Sequence, residues 1–523
     1  MKGEGKRGVL NGAVAMATAT LLVKIIGVLY KVPLTYILGD EGMGYFNTAY
    51  SVYAFFYVIS SAGIPKAITM LVARAENTEN ETECICRGLL KTFGIIGAVL
   101  TVIFFALARP ISLLIGSSRS FAAMLGIAPS IFLVSLSGVL RGYINGRSRL
   151  APIAISQLIE AVCKLVFGLA LALIGMELLL PLPAICALAI LGITLGSFFS
   201  LLYLYLSCYG IRRKVNERSI TRNSLHRMLK AVILQAVPLT LSAAIGALSG
   251  ILDLGIVING LRAAGYSETL ANSVYGNYST LAVPMIGLVS AILMPISMAV
   301  LPKLSTLSPE SAEFGETLRN GWLITISISA PISIMFSLYS FEILDILFPS
   351  SQSAGGAPSL AVLSLAAVFL PLLTLINTAL EAAGRIGYAL FSLSCGILVK
   401  IVVSLLLVPH PGFGILGAAL GNVASYAFSL CLSIGFLGKG SRALSLWKST
   451  AILATAVICC VPAYVFIYSV NLIHSSTLSF ILSAAASMAV YTIVIIPAFF
   501  SKELSAMKQH YAQKNHNLKV INS

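Results

Sequence analysis

Thr20-Leu-Leu-Val-Lys24-Ile-Ile-Gly27-Val-Leu-Tyr-Lys31-Val-Pro33-Leu-Thr35 reads as a membrane helix that carries two lysines. An ammonium group at bilayer depth costs roughly 2.5 kcal/mol or more, so such residues are rare and face a cavity or a partner. Seven residues make nearly two helical turns, which puts Lys24 and Lys31 on one face, about 10 Å apart along the axis. Thr20, Gly27 and Thr35 share that stripe, and Leu22, Ile25, Ile26 and Leu29 lie off it. The spacing predicts a positively charged wall inside the membrane, which suits an anionic cargo. The competing reading is that the lysines snorkel to an interface. It fits Lys31, toward the end of the stretch, better than Lys24 near the middle.

The rest of the chain agrees with a membrane setting. Of 523 residues, 58% are hydrophobic and only 10% are charged. Soluble domains run near a quarter charged, so the class is an all-α integral membrane protein. The net charge of +15 does not require nucleic acid, because basic cytoplasmic loops give the same balance. No basic stripe with interleaved aromatics is present, so no nucleic-acid partner is expected.

Fourteen apolar segments are long enough to span: 9–37, 44–65, 89–115, 120–142, 152–176, 180–208, 229–258, 274–300, 320–347, 358–382, 386–408, 414–437, 448–470 and 477–500. They are numbered 1 to 14 here. With the N-terminus inside, cytoplasmic segments hold 27 of the 34 Lys and Arg residues. Arg109, Arg119 and Arg262 fall outside, and Lys24, Lys31, Lys164 and Lys400 fall within segments. This bias obeys the positive-inside rule and puts both termini in the cytoplasm. A cleaved leader is not expected, although Lys2, Lys6 and Arg7 precede an apolar run, because Lys24 interrupts that run.

The two halves carry related marks. Tyr50-Ser51 with Ile64-Pro65 resembles Tyr278-Ser279 with Met294-Pro295, and Gly146-Arg147 with Lys164 resembles Gly384-Arg385 with Lys400. The expectation is an N-lobe over 1–208, a basic cytoplasmic linker over 209–228 and a C-lobe over 229–440. Segments 13 and 14 follow over 441–500, then a polar, partly disordered cytoplasmic tail over 501–523. An even number of segments per repeat makes the relation a pseudo-twofold along the membrane normal. External loops are short; the longest, about 259–273, has room for one short helix.

Segment 5 holds Gln157, Glu160 and Lys164. Glu160 and Lys164 are spaced i,i+4 with the acid first, the favourable order for an ion pair. They either neutralise each other or line a cavity and exchange partners during transport. Lys400 lies at the equivalent place in the second half with no acid at i−4 or i+4, so it faces a cavity or pairs across helices. Asp253 is a candidate for a coupling cation or for a lysine of segment 1. The candidate substrate-binding residues are thus Lys24, Lys31, Lys164 and Lys400, with Glu160 and Asp253 for ion pairing or coupling.

Enzyme signals are absent. There is no glycine-rich phosphate loop followed by Lys-Ser/Thr, and the five histidines have no metal-ligand or triad partners. The nine cysteines form no disulfide framework. Cys84 and Cys86 make a C-x-C in a polar cytoplasmic loop, and the other seven fall in apolar helices as small core residues. No cofactor and no metal are expected, and energy would come from Na⁺, H⁺, the membrane potential or a lipid gradient.

Several stretches resemble the polysaccharide-flippase branch of the multidrug/oligosaccharidyl-lipid/polysaccharide exporter superfamily. They are Val23-Lys24-Ile-Ile-Gly27-Val-Leu-Tyr-Lys31-Val-Pro33-Leu and Gly39-Asp40-Glu41-Gly42-Met-Gly44, then Ala62-Gly63-Ile64-Pro65. The most specific is Leu140-Arg141-Gly142-Tyr143-Ile-Asn-Gly146, followed by Pro152, Ser156-Gln157 and Glu160. The resemblance covers residues 8 to about 440. It implies two six-helix lobes around a cavity open to one side at a time. The expected setting is the cytoplasmic membrane of a bacterium; a monomer is the expectation, although the sequence does not fix the oligomeric state. The resemblance also implies an undecaprenyl-pyrophosphate-linked saccharide as cargo and membrane lipids as surroundings. In the lipid II flippases of this branch, basic residues of the first helix line the cavity, which Lys24 and Lys31 match. Those flippases also place arginines in helices 2 and 8. Here segment 2 offers only Lys66 beyond its end, and segment 8 offers Asn277, Tyr278 and Ser279.

Two other readings compete. A multidrug or organic-cation antiporter would want acidic residues, whereas away from their ends the segments hold the lysines Lys24, Lys31, Lys164 and Lys400 against the candidate acids Glu160 and Asp253. A membrane glycan ligase or polymerase would want a large outer loop with acid–base groups, and none is long enough.

Overall fold

The computed structural model describes residues 2–499 apart from 62, 75–78, 148, 213–221, 439, 441–443 and 471–475. The described residues form helices and turns, with no strand among them. The helices are α1 (Lys2–Ser61), α2 (Ile64–Arg74), α3 (Glu79–Ile115), α4 (Phe121–Ile127), α5 (Pro129–Gly146), α6 (Ala151–Glu177), α7 (Leu182–Arg212), α8 (Arg222–Ala263) and α9 (Glu268–Asn277). They continue with α10 (Val283–Leu304), α11 (Ala312–Leu338), α12 (Ser340–Asp345), α13 (Ser350–Leu363), α14 (Ala366–Ala382), α15 (Ile386–Leu407), α16 (Ile415–Leu437), α17 (Leu446–Val470) and α18 (Ser476–Phe499).

Among the described residues, each of the fourteen apolar segments is mostly helical. By length and composition alone, ten stretches of the described residues qualify as spans, or eleven if the bent pair Ser350–Leu363 and Ala366–Ala382 is one span. The single stretch Leu22–Val72 takes in residues 22–37 of the first segment and all of the second, joined at Gly39. There φ is 67°, a left-handed value that glycine adopts without a Cβ penalty, and the chain turns back between two helices. The described parts of the last two segments form the shorter apolar stretches Trp447–Pro462 and Ser479–Ile495. The chain is therefore a multi-pass helical membrane protein.

Several boundaries differ from expectation. The polar loop expected around Cys84 and Cys86 is helical from Glu79 onward, and Cys86 packs into a core with Ile64, Leu89 and Tyr143. The loop expected over 259–273 shrinks to residues 264–267, because α8 runs to Ala263 and α9 starts at Glu268. Ser267 caps α9 by accepting a hydrogen bond from the Leu270 N–H at 3.2 Å, and Gly265 turns the chain with φ 96°. The basic linker reaches into both flanking helices; its middle, 213–221, and the tail, 501–523, lie outside the described residues.

The residues group into two compact units. One comprises Met1–Leu281, Leu347–Gly355 and Lys400–Ala418; the other comprises Ala282–Ile346, Gly356–Val399 and Ala419–Ser523. This grouping follows contact, whereas the six-plus-six division follows repeat.

In the first unit, glycines set the helix spacing. A Cβ on Gly192 would lie 2.4 Å from the Gly168 Cα, and one on Gly196 would lie 2.6 Å from the Glu160 carbonyl oxygen. Gly192 and Gly196 are four apart, so α7 presents a flat stripe on which the α6 backbone rests. Gly142 and Gly146 do the same for α5 against α2, where a Cβ would meet the Pro65 carbonyl oxygen at 2.7 Å and Val72 at 2.6 Å. Such contact replaces hydrophobic drive, which is weak between helices in lipid.

The second unit is held by apolar packing around Phe314, Trp322, Leu375 and Ile376. Its polar groups find local partners. Trp322 Nε1 donates to Ser449 Oγ at 2.8 Å, Tyr491 OH donates to the Ser327 carbonyl at 2.9 Å, and Ser433 Oγ donates to Asn377 Oδ1 at 2.9 Å. In a medium without water, each of these would be costly unmade.

Candidate substrate cavity

A cavity of about 430 Å³ opens in the first unit. The part of α1 before Gly39 contributes Lys24, Gly27 and Tyr30, and the part after it contributes Tyr50, Tyr53 and Tyr57. Arg141 enters from α5, and Gln157, Glu160 and Lys164 enter from α6. The α6–α7 glycine contact draws Glu160 toward the hydroxyls of α7.

The charges are organised by two arrangements. Arg141 Nη2 lies 2.7 Å from Glu160 Oε2 and also donates to Ser200 Oγ at 3.0 Å. Ser197 Oγ donates to the other Glu160 oxygen at 3.3 Å. Lys164 has no carboxylate partner among the described residues. Its Nζ instead sits 5.0 Å from the Tyr30 ring centroid and 5.5 Å from that of Tyr50. Aromatic faces carry negative quadrupole charge and hold a cation without neutralising it. The Tyr30 hydroxyl donates to the Ala189 carbonyl at 3.1 Å, which fixes one of the two rings.

The expected i,i+4 pair of Glu160 with Lys164 therefore does not form; Glu160 pairs across helices with Arg141. A single guanidinium nitrogen, Nη2, serves both the carboxylate and the Ser200 hydroxyl, while Lys164 Nζ turns to the tyrosine rings. The cavity wall holds three cations, Lys24, Arg141 and Lys164, against one carboxylate, Glu160. Lys24 and Gln157 line the cavity. Ile26, placed off the stripe, also lines it, and Lys31 is not among the lining residues.

Lys400 and Asp253 lie elsewhere in the same unit and pair with each other. Lys400 Nζ is 3.0 Å from Asp253 Oδ2, and both side chains are largely buried, at 15% and 12% exposure. Asp253 thus takes a lysine of segment 11 rather than of segment 1. Among the described residues no cluster of three or more His, Cys, Asp or Glu could hold a metal.

The sequence reading missed two features. Arg141 stood at the last turn of segment 4 and was counted with the cytoplasmic charges, but α5 continues to Gly146. Tyr50, Tyr53 and Tyr57 are spaced i, i+3, i+7, a one-face pattern visible in the sequence. The Tyr50–Tyr53 and Tyr53–Tyr57 ring centroids are 6.1 and 5.7 Å apart.

Fold and site define a helical membrane protein with a cationic, tyrosine-lined cavity. A family model described as polysaccharide biosynthesis protein matches residues 9–308. The chain belongs to that family, whose model covers more than half of it. It is 25% identical over 444 residues to stage V sporulation protein B of Bacillus subtilis (strain 168), covering 83% of this chain and 84% of that one. It is 21% identical over 457 residues to the lipid II flippase MurJ of the same organism, covering 81% and 82%. Among solved structures, a lipid II flippase MurJ in an inward closed conformation superposes with a TM-score of 0.73 at 15% identity, covering 94% of this chain and all of that one, 100%. That likeness concerns the fold.

Proposed function

We propose that this protein is a flippase that carries an undecaprenyl-pyrophosphate-linked saccharide across a bacterial cytoplasmic membrane by alternating access between two lobes. The observation that carries the reading is the charge of the cavity. With Arg141 and Glu160 paired, Lys24 and Lys164 leave a surplus of positive charge inside membrane-spanning helices. A diphosphate is an anion that such a site suits, because lysine ammonium groups bind phosphate oxygens as point charges and two of them offset its multiple negative charge. The prenyl chain would stay in lipid while the head group crosses. The named relatives and the family description support the same class of cargo. A wall of this sign repels an organic cation, which weighs against an antiporter of cationic drugs.

The test is complementation of a flippase-deficient strain. Lys24→Ala and Lys164→Ala should each abolish or strongly reduce rescue while the protein still inserts and runs as a single species in detergent. Lys24→Arg should retain part of the function, because the charge is kept and its shape changes. Lys24→Asp should be worse than Lys24→Ala. Full rescue by a well-expressed Lys24→Ala/Lys164→Ala variant would remove the diphosphate from this cavity.

A further inference from the structure

Lys164 and the tyrosines of α1 stand side by side, and their adjacency says more about the ligand than the charge does. Lys164 Nζ lies 5.5 Å from the centroid of the Tyr50 ring. Tyr50 is 42% exposed, so its ring is accessible beyond that contact. Tyr53 is only 4% exposed and stands between Tyr50 and Tyr57, touching both rings. All three rings line the cavity, and Tyr53, less accessible than Tyr50, braces the two beside it.

Aromatic surface in a membrane cavity could attract an organic cation. Here a lysine already occupies that role at Tyr50, and the surrounding wall is net positive. What remains attractive to a ring face is an uncharged partner with polarised C–H bonds. A pyranose offers one face of axial C–H groups and a rim of hydroxyls. Gln157 and Glu160 on the facing helix supply donors and acceptors for such a rim. The cavity, about 430 Å³, falls within the roughly 300–1,000 Å³ that encloses drug-sized ligands, so it takes a short saccharide head rather than a polymer.

We infer that Tyr50 and Tyr57, braced by Tyr53, form a sugar-stacking face that receives the saccharide unit attached to the diphosphate held by Lys164 and Lys24. The inference rests on the flippase reading above and assigns the part of the cavity that reads the sugar. It makes the tyrosines specificity determinants: they distinguish a glycosylated prenyl diphosphate from a bare one.

The experiment compares two soluble short-chain compounds, farnesyl pyrophosphate and farnesyl-pyrophosphoryl-N-acetylglucosamine. Binding of each to the full-length protein in nanodiscs is measured by thermophoresis. Wild type should bind the glycosylated compound more tightly. Tyr50→Leu and Tyr57→Leu should each weaken the glycosylated compound by up to about tenfold, the upper range for one aromatic contact. Affinity for farnesyl pyrophosphate should hold in Tyr57→Leu, which also reports that this variant is folded. Tyr50→Leu should weaken farnesyl pyrophosphate too, because Tyr50 also holds Lys164, but by less than it weakens the glycosylated compound. Tyr50→Phe should keep the preference, since the ring and not the hydroxyl makes the stack. Lys24→Ala should weaken both compounds alike. Equal losses for both compounds in Tyr57→Leu would make the tyrosines structural and overturn the inference, as would an unchanged preference. Failure of wild type to bind either compound would instead overturn the flippase reading itself.

Discussion

Lys400 and Asp253 bring opposite charges to 3.0 Å within a part of the chain that has little water. Desolvating two charges is expensive, and their attraction offsets it only while both are present. Asp253 Oδ1 is buried with no hydrogen-bond partner, so the carboxylate depends on Lys400 more than a solvated acid would. Lys400→Met should therefore cost about 3–5 kcal/mol, read as a lower melting temperature in detergent. The double variant Lys400→Met/Asp253→Leu should recover most of the loss, because no charge is left stranded. A single variant as stable as wild type would show that the pair does not hold the fold and that Asp253 remains available to a coupling cation. At this scale the sequence was legible for which residues matter and poorly legible for which residues meet. Lys24, Glu160 and Lys164 stood out as charges in apolar helices, since bilayer cost makes such residues conspicuous. Their partners were not readable, because only i,i+3 and i,i+4 neighbours can be inferred along one helix. Arg141 and Ser200 reach Glu160 from two other helices.

At the scale of elements, the α6–α7 contact places the cavity's acid and base. Gly192 is the point of closest approach, where a Cβ would come within 2.4 Å of the Gly168 Cα and 2.5 Å of its backbone nitrogen. No rotamer relieves a clash with backbone, so Gly192→Leu must separate the helices. Overpacking costs typically about 1–3 kcal/mol, and here it should also pull Ser197 and Ser200 away from Glu160 and Arg141. The expected result is a lower melting temperature together with lost complementation. Gly250→Ala on α8 is the control, since nothing lies within 4 Å of its added Cβ. Equal melting temperatures for the two variants would remove the glycine stripe from the account. The helices themselves were legible because twenty apolar residues in a row have few alternatives to a spanning helix. Their ends were not, because hydropathy marks the depth of lipid and not the last hydrogen-bonded turn. Thus α3 begins at Glu79 in polar sequence and α8 runs past the apolar stretch to Ala263. One end carried a readable signal: Ser267 followed by Glu268 is a cap with an acid in the first turn.

At the scale of the whole molecule, orientation follows from charge. Lys and Arg are costly to translocate, and 27 of 34 fall on one side if the fourteen helices alternate from a cytoplasmic N-terminus. Two exposed positions test both the alternation and its sign. Leu179 lies between α6 and α7 and is 91% exposed. Ser305 lies just beyond α10 and is also exposed. Three expected spans separate them, those at 180–208, 229–258 and 274–300, so they must lie on opposite sides. In a variant lacking the native cysteines, Leu179→Cys should react with a membrane-impermeant thiol reagent in intact cells. Ser305→Cys should react only after permeabilisation. Reaction of both from outside would mean an even number of crossings between them, which would remove a span from 180–300. Reversed labelling would keep the span count and invert the protein, placing the basic linker near 213–221 outside against the charge rule.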